Sequence, residues 1–169
     1  MEKSFTVNTT RFNPYGNYRF QVYLGKSTSA VAGVSKVSSF KRSSDVIEFK
    51  QGADLITRKG LGRTKYEAIT IERGITFNTD FEVWANAAQV LNQGAPSQSL
   101  ANLRQEMRIA LLNEDGQIVQ QYLVHNCWVS EFQAMSDLDG GGNAVAIEHI
   151  KIENEGWERD LSITEVKET

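Results

Sequence analysis

The chain has 169 residues, of which 40% are apolar and 23% are charged, and its formal net charge is −3. This composition is sufficient for a hydrophobic core and argues against a wholly disordered protein, so we expect a single domain over residues 1–169. No apolar stretch approaches the roughly 20 residues that span a bilayer, and the first residues lack the apolar segment of a signal peptide.

The lone cysteine, Cys127, excludes an internal disulfide. A free cysteine of this kind is typical of a reducing compartment, and it is more often a small buried apolar residue than a nucleophile. We therefore expect the protein to be made and kept in the cytoplasm until a larger assembly carries it out.

Strand periodicity dominates the first half of the chain. In residues 18–24 apolar side chains occupy every second position, which predicts a half-buried strand. Residues 31–37 form a second extended run. Alternation returns at residues 69–73, where Ile69 and Ile71 face one side and Thr70 and Glu72 face the other.

One segment has helical spacing and predicts a helix that packs against the core. Its apolar stripe includes Phe77, Phe81, Trp84, Ala88 and Leu91. Asn78 or Thr79 can cap the helix, whereas Gly94 and Pro96 follow its end.

The second half of the chain predicts further strands. Residues 107–112 and 118–124 flank an Asp-Gly turn, which is typical of a hairpin. Another run covers residues 127–135, and the last covers 144–154. In this last run Val145 and Ile147 share one face while Ile150 and Ile152 share the other, which predicts a bulge or a crossing between sheets, or else a strand buried on both faces at its centre.

Residues 42–62 show no clear period and predict a long loop. This loop belongs to a basic part of the chain, since residues 36–73 contain nine bases and five acids. Residues 131–169 contain ten acids and three bases. Such asymmetry indicates either two solvated faces or complementary surfaces through which copies bind each other.

The sequence contains no motif for catalysis or for binding a metal or cofactor. His125 and His149 are the only histidines, and the Gly-x-Ser-x-Gly motif that places a nucleophilic serine is absent. No phosphate-binding or dinucleotide-binding loop is present. The run from Asp137 to Glu148 approaches a calcium loop, but Gly141 stands where a ligand oxygen is required. We therefore expect no catalytic residue, no metal and no cofactor, and we interpret residues 136–143 as a flexible connection.

Three sequence motifs, occurring in this order along the chain, resemble those of a known protein family. They are Asn17-Tyr-Arg-Phe20, Gly33-Val-Ser-Lys-Val37, and Gly62-Arg-Thr-Lys-Tyr66 followed by Ile69-Thr-Ile-Glu-Arg-Gly74. Together they resemble the tail-tube protein family of contractile phage tails and phage-tail-like contractile injection systems, over residues 17–157. Many relatives have proline where this chain has Leu61.

The resemblance implies a mainly β fold, a tail-tube-type β-barrel or sandwich with one flanking α-helix and a long inter-subunit loop. It also implies a structural protein, not an enzyme, whose copies form six-membered rings. The rings stack head to tail into a hollow tube that sheath contraction drives through a target envelope. The implied partners are other copies of the chain, the sheath, baseplate or hub and tube-cap proteins, and a cargo of DNA or protein. The implied location is a phage tail or an injection particle.

Particular residues take roles under this resemblance. Thr70 and Glu72 are candidates for the lumen, and residues 1–15 and 158–169 are peripheral arms. Arg58, Lys59 and Arg63 would meet acidic groups of the neighbouring ring. The inter-subunit loop would include Val46, Glu48, Phe49, Asp54, Arg58, Lys59, Arg63 and Lys65.

A second class of function stays open on the sequence alone. A monomeric β-sandwich binding module, for instance for carbohydrate, would use an exposed Trp128 or Trp157 as its platform. Three further questions also stay open. They are whether the source is a phage or an injection system, whether the chain forms the main tube or a ring near the baseplate, and whether the cargo is DNA or protein.

Overall fold

The computed structural model describes residues 13–53, 55–92 and 103–167. Within these residues the chain forms nine strands and one helix. They are β1 (Phe20–Leu24), β2 (Val34–Val37), β3 (Arg42–Phe49), β4 (Arg58–Tyr66), β5 (Ile69–Gly74), α1 (Asp80–Asn92), β6 (Gln105–Leu112), β7 (Ile118–Gln133), β8 (Ile147–Glu153) and β9 (Trp157–Arg159).

Seven strands form one antiparallel sheet in the order β1-β6-β7-β8-β5-β2, with β9 paired to β7. β1 and β2 are its terminal strands, so the described part of the chain does not form a closed barrel. The sheet folds over itself as a β-sandwich because β7 belongs to both layers. Its first half pairs with β6 and β9, and its second half pairs with β8.

The crossing between layers lies in β7, at Asn126. This residue has a φ of 51°, a left-handed conformation that asparagine tolerates better than most residues. The sequence predicted two separate strands here and placed the irregularity in residues 144–154. Instead β8 pairs with β5 without interruption, because Glu148, Ile150 and Ile152 all occupy its core side while Val145 is exposed.

The core lies between the two layers and under α1. It is formed by alternate residues of β5 and β8 together with side chains of β1, β6, β7 and the helix. Phe81 and Trp84 are buried in it, and the Trp84 indole donates a hydrogen bond to the carbonyl of Leu103 over 3.1 Å. Burying two large aromatic side chains fixes the helix against the sheet.

The helix begins later than the apolar stripe suggested. Asn78 is its N-cap, because the Asn78 side-chain oxygen accepts a hydrogen bond from the backbone N–H of Asp80 over 2.9 Å. Phe77, expected as the first core residue of the stripe, therefore precedes the helix and is fully exposed. Ala88 is half-buried, and the side chain of Leu91 lies outside the described residues.

Residues 42–66 are not a loop, as the sequence indicated, but a hairpin of β3 and β4. Every residue of β3 is exposed, so neither face of the strand is selected for apolar side chains and no alternation arises in the sequence. The strands of the hairpin are joined by a turn in which residues 50–53 and 55–57 belong to neither strand.

Candidate assembly surfaces

The β3–β4 hairpin projects from the rest of the molecule. Within the described chain β3 and β4 pair only with each other. The hairpin nevertheless exposes six large apolar side chains, including Leu55 at 97% and Leu61 at 80%; the other four are Val46, Ile47, Phe49 and Ile56. Six large apolar side chains exposed on one element indicate an interaction site, since leaving such side chains in water is unfavourable.

A β-bulge gives the hairpin its register. Between the pairs Ser44–Thr64 and Val46–Leu61, Asp45 stands opposite two residues, Gly62 and Arg63. A Cβ atom at Gly62 would lie 2.7 Å from the carbonyl oxygen of Asp45, so the backbones approach too closely for any side chain at this position. The glycine of the sequence motif Gly-Arg-Thr-Lys-Tyr is therefore required by the structure.

Exposed ion pairs link the two strands of the hairpin. Lys59 lies 3.9 Å from Glu48, and Lys65 lies 3.5 Å from Asp45. All four side chains are largely exposed, so these pairs contribute little stability and can exchange partners in an interface.

An aromatic cluster anchors the base of the hairpin. Tyr66, the last residue of β4, packs edge-on against Trp157 at 5.9 Å between ring centroids. Trp157 also packs against Tyr122 and Phe40, and the guanidinium of Arg42 lies 5.9 Å from its ring. Trp157 is thus part of the packing between hairpin and sheet, not an open platform for a sugar.

The residues predicted for the inter-subunit loop lie along this hairpin. Val46, Glu48 and Phe49 are on β3, and Arg58, Lys59, Arg63 and Lys65 are on β4, all exposed. Asp54 lies outside the described residues.

The two lumen candidates lie on a different surface, the outer face of β5. Thr70 stands opposite Lys151 of β8, and Glu72 stands opposite His149. Lys36 of β2 forms an ion pair with Glu72 over 3.2 Å. These side chains make the outer face of the sheet polar, with charges of both signs. One of its carboxyls, that of Glu131, has a lowered pKa because it accepts a hydrogen bond from His149.

Sequence reasoning missed a buried ion pair under the helix. Arg73 is fully buried, and its Nε donates to the carboxylate of Glu148. Arg73 also donates to the carbonyl of Asn78 over 2.6 Å and stacks on Phe81, 4.0 Å from the ring centroid. The signal was present, because Arg73 continues the buried parity of Ile69 and Ile71 in β5.

His125 lies near the crossing in β7 and contacts two carboxylates. Its Nδ1 is 2.7 Å from Glu106 of β6, and its Nε2 is 3.2 Å from Glu158 of β9. The hydrogen bond to Glu106 raises the pKa of His125 above its ordinary value, and burial opposes this rise only in part. The three residues link neighbouring strands.

Cys127 is buried and donates to the carbonyl of Val124 over 3.4 Å. Burial raises the pKa of its thiol to about 12, so the nucleophilic thiolate is scarce at neutral pH. The described residues contain no group of three side chains able to hold a metal ion. They also contain no helix long and apolar enough to cross a membrane.

The comparison with protein families decides what kind of protein this is. A family model described as T4-like virus tail tube protein gp19 matches residues 16–158. The chain belongs to this family. It is a tail tube protein, and because the family is structural, it is not an enzyme.

Solved structures share this tail tube fold. A chain of the PVC extracellular contractile injection system, in the sheath–tube complex in its extended state, is 21% identical with a TM-score of 0.71, and the match covers 87% of this chain and 91% of that one. A chain of the anti-feeding prophage tube-terminating cap is 20% identical with a TM-score of 0.70, covering 92% and 97%.

A chain of the anti-feeding prophage baseplate is 18% identical with a TM-score of 0.68, covering 87% of this tail tube protein and 95% of that chain. No curated protein sequence matches. At these identities the likeness shows the fold, and the sandwich with one helix agrees with the mainly β fold that the sequence predicted.

Proposed function

We propose that this tail tube protein forms the inner tube of a contractile tail or injection system. Six copies close into a ring, rings stack head to tail, and the resulting hollow conduit is driven through a target envelope when the surrounding sheath contracts. Each chain is then one domain, and its peripheral arms, residues 1–15 and 158–169, contact neighbours. Glu158 and Arg159, at the start of the second arm, are paired with β7 as part of β9.

The projecting hairpin is the observation that carries this proposal. An isolated two-stranded hairpin is at best marginally stable in water, and this one leaves six large apolar side chains exposed. Contacts with other copies would bury those side chains. The hairpin therefore supports the predicted role of Val46, Phe49, Arg58, Lys59, Arg63, Lys65 and their neighbours between subunits.

The outer face of β5 and β8 has the polarity expected of a surface that lines the conduit. A cargo that slides through a tube requires a surface without sticky apolar patches, and Thr70, Glu72 and Lys151 are polar. We propose that this face lines the lumen, through which DNA or an effector protein passes.

The proposed partners follow from the same assembly. They are further copies of the chain, the sheath around the tube, baseplate or hub proteins at one end and a cap at the other. The solved structures with this fold are described as parts of a sheath–tube complex, a baseplate and a cap, which makes these partners reasonable for the present chain. Assembly would take place in the cytoplasm, and the particle would then act outside it.

Purification of the protein over a range of concentrations tests the proposal. We expect light scattering to report growth from rings to filaments as the concentration rises. Negative-stain microscopy should show six-fold rings in end view and a stain-filled channel in side view. A monomer at every concentration, alone or mixed with its sheath protein, would contradict the proposal.

A further inference from the structure

A second exposed apolar surface lies where β5 ends and β8 begins. We call it the receiving patch and define it as Ile75, Phe77, Met135, Leu138 and Val145. All five side chains are exposed, with Leu138 at 74% and Val145 at 76%. They come from two connections, β5–α1 and β7–β8. The backbone N–H of Ile75 donates to the carbonyl of Ala146 over 3.1 Å and joins the two.

The receiving patch and the hairpin lie at opposite ends of β5. The hairpin leaves the molecule just before Ile69, where β5 begins, and Ile75 directly follows Gly74, where β5 ends. Six residues of extended strand separate the two ends by about 20 Å. A subunit with different apolar surfaces at its two ends meets the geometric requirement of a head-to-tail contact, in which each copy presents one surface and receives the other.

The β7–β8 connection also forms a groove with an acidic rim. The groove has a volume of about 380 Å³ and is lined by Leu138 and Val145 together with Asp137 and Asp139. Residues 134–146 contain these two acids and no lysine or arginine. The hairpin strands, in contrast, have five bases and two acids; they are Arg42, Arg58, Lys59, Arg63 and Lys65 against Asp45 and Glu48.

We infer that the receiving patch of one copy binds the hairpin tip of the copy stacked on it. Leu55 and Ile56, at 97% and 71% exposure, enter the groove beside Leu138 and Val145, and the basic β4 strand lies against Asp137 and Asp139. This inference rests on the proposed function, because it names the partner surface of the hairpin within the stacked tube. Apolar contact provides the affinity, and opposite charge sets the direction of stacking.

Cross-linking between two variants tests the contact. One preparation has Leu55→Cys and the other has Val145→Cys, and the two are mixed, assembled and treated with a short thiol-reactive cross-linker. We expect a covalent dimer on denaturing gels from the mixed tubes but not from isolated rings. The native Cys127 is buried, so wild-type tubes serve as the blank.

A comparator position reports an alternative docking site. Ser39 is exposed and lines a separate groove of about 310 Å³ between β1, β6 and the β2–β3 connection. Preferential cross-linking of Leu55→Cys to Ser39→Cys would overturn the inference and leave the tube proposal standing. Cross-linking to Val145→Cys within isolated rings would also overturn it, because the contact would then be lateral.

Loss of stacking gives an independent measurement. The double variant Leu138→Ser/Val145→Ser should still form rings but lose at least tenfold in mean tube length by microscopy. Leu161→Ser is the matched control, since Leu161 is 84% exposed but lies after β9. Tubes of normal length from the double variant would overturn the inference. If the wild-type protein forms no rings, the proposed function itself fails and the inference fails with it.

Discussion

Arg73 and Glu148 show how a charged residue can be part of the core of this protein. The pair joins β5 to β8, and the contacts of Arg73 with Asn78 and Phe81 connect the sheet to the beginning of α1. Replacing such a pair with apolar residues can be neutral, but removing one partner leaves an uncompensated charge in the core. The pair therefore specifies where the helix begins relative to the sheet.

Glu148→Ala should lower the free energy of unfolding by about 3–5 kcal/mol, because Arg73 then remains buried without its carboxylate. The measurement is urea unfolding at a concentration too low for assembly. Glu67→Ala is the matched control, since Glu67 forms an exposed ion pair with Lys41 at 3.2 Å and its loss should change the unfolding midpoint little. Equal effects of the two substitutions would contradict this account.

His125 should make stability depend on pH. Its pKa is raised in the folded protein by Glu106 first, and a free histidine titrates near pH 6.5. Protonation therefore favours the fold. This contribution is fully present below about pH 6.5 and is lost as the pH rises through the folded-state pKa of His125. We expect the urea midpoint of the wild-type protein to fall over this window.

His125→Gln should abolish that fall, and Glu106→Gln should remove most of it while the histidine is retained. Midpoints of both variants and of wild type, measured in parallel from pH 5.5 to 8.5 (a window of about one unit below and two above the ordinary histidine pKa), test the assignment. An unchanged slope in Glu106→Gln would show that the hydrogen bond to Glu106 is not the main cause.

Among the elements, the β3–β4 hairpin is the one that should be important for assembly but not for the stability of a single subunit. It is held to the rest of the molecule at its base by the aromatic cluster of Tyr66 and Trp157, and its strands contribute nothing to the main sheet. Changes within the hairpin should therefore affect assembly far more than they affect the fold of a single subunit.

Gly62→Ala tests this separation, because its added Cβ would collide with the carbonyl of Asp45 at 2.7 Å. We expect faster amide exchange in β3 and β4, loss of tubes and a thermal midpoint of the dispersed subunit close to wild type. Gly60→Ala is the control, since its Cβ would meet Phe49 at an ordinary 3.6 Å. Normal tubes from Gly62→Ala would contradict an assembly role for the hairpin.

The elements also differ in how well the sequence predicted them. β1, β5 and the buried residues Phe81 and Trp84 followed from periodicity, because each has one face in water and one in the core. The hairpin has no buried face, so its strands left no alternation to detect. The continuity of β7 was hidden by Asn126, whose left-handed backbone permits a crossing that no apolar pattern encodes.

The residues of the candidate site could be predicted from the sequence only in part, for the same reasons. The tail-tube motifs indicated which segment reaches neighbouring subunits and assigned Arg58, Lys59 and Arg63 to it. They did not reveal that these residues lie on a strand. The numbers of acids and bases indicated charged surfaces, but they included Arg73 and Glu148, which pair in the core. Exposure of Phe77 could not be predicted either, because the helical spacing of apolar residues extends back past Asn78, the N-cap at which the helix begins.

For the whole molecule, surfaces of different character face different directions. The hairpin is apolar and basic, the receiving patch is apolar with an acidic rim, and the outer face of β5 and β8 is polar. In a stacked ring the first two would be consumed by contacts between copies. The third would remain in water along the conduit and define what can pass.

Glu72→Cys should distinguish a lumenal from an external position of this polar face. In dispersed subunits a small maleimide and a maleimide on a long polyethylene glycol chain should both label the new thiol. In assembled tubes we expect the small reagent to react and the bulky reagent to be strongly retarded, because it can enter only through the tube ends. Cys127 does not interfere, since burial raises the pKa of its thiol to about 12. Thr70→Cys on the same face should behave alike, and rapid labelling of either variant by the bulky reagent in intact tubes would place the polar face on the outside, against the sheath.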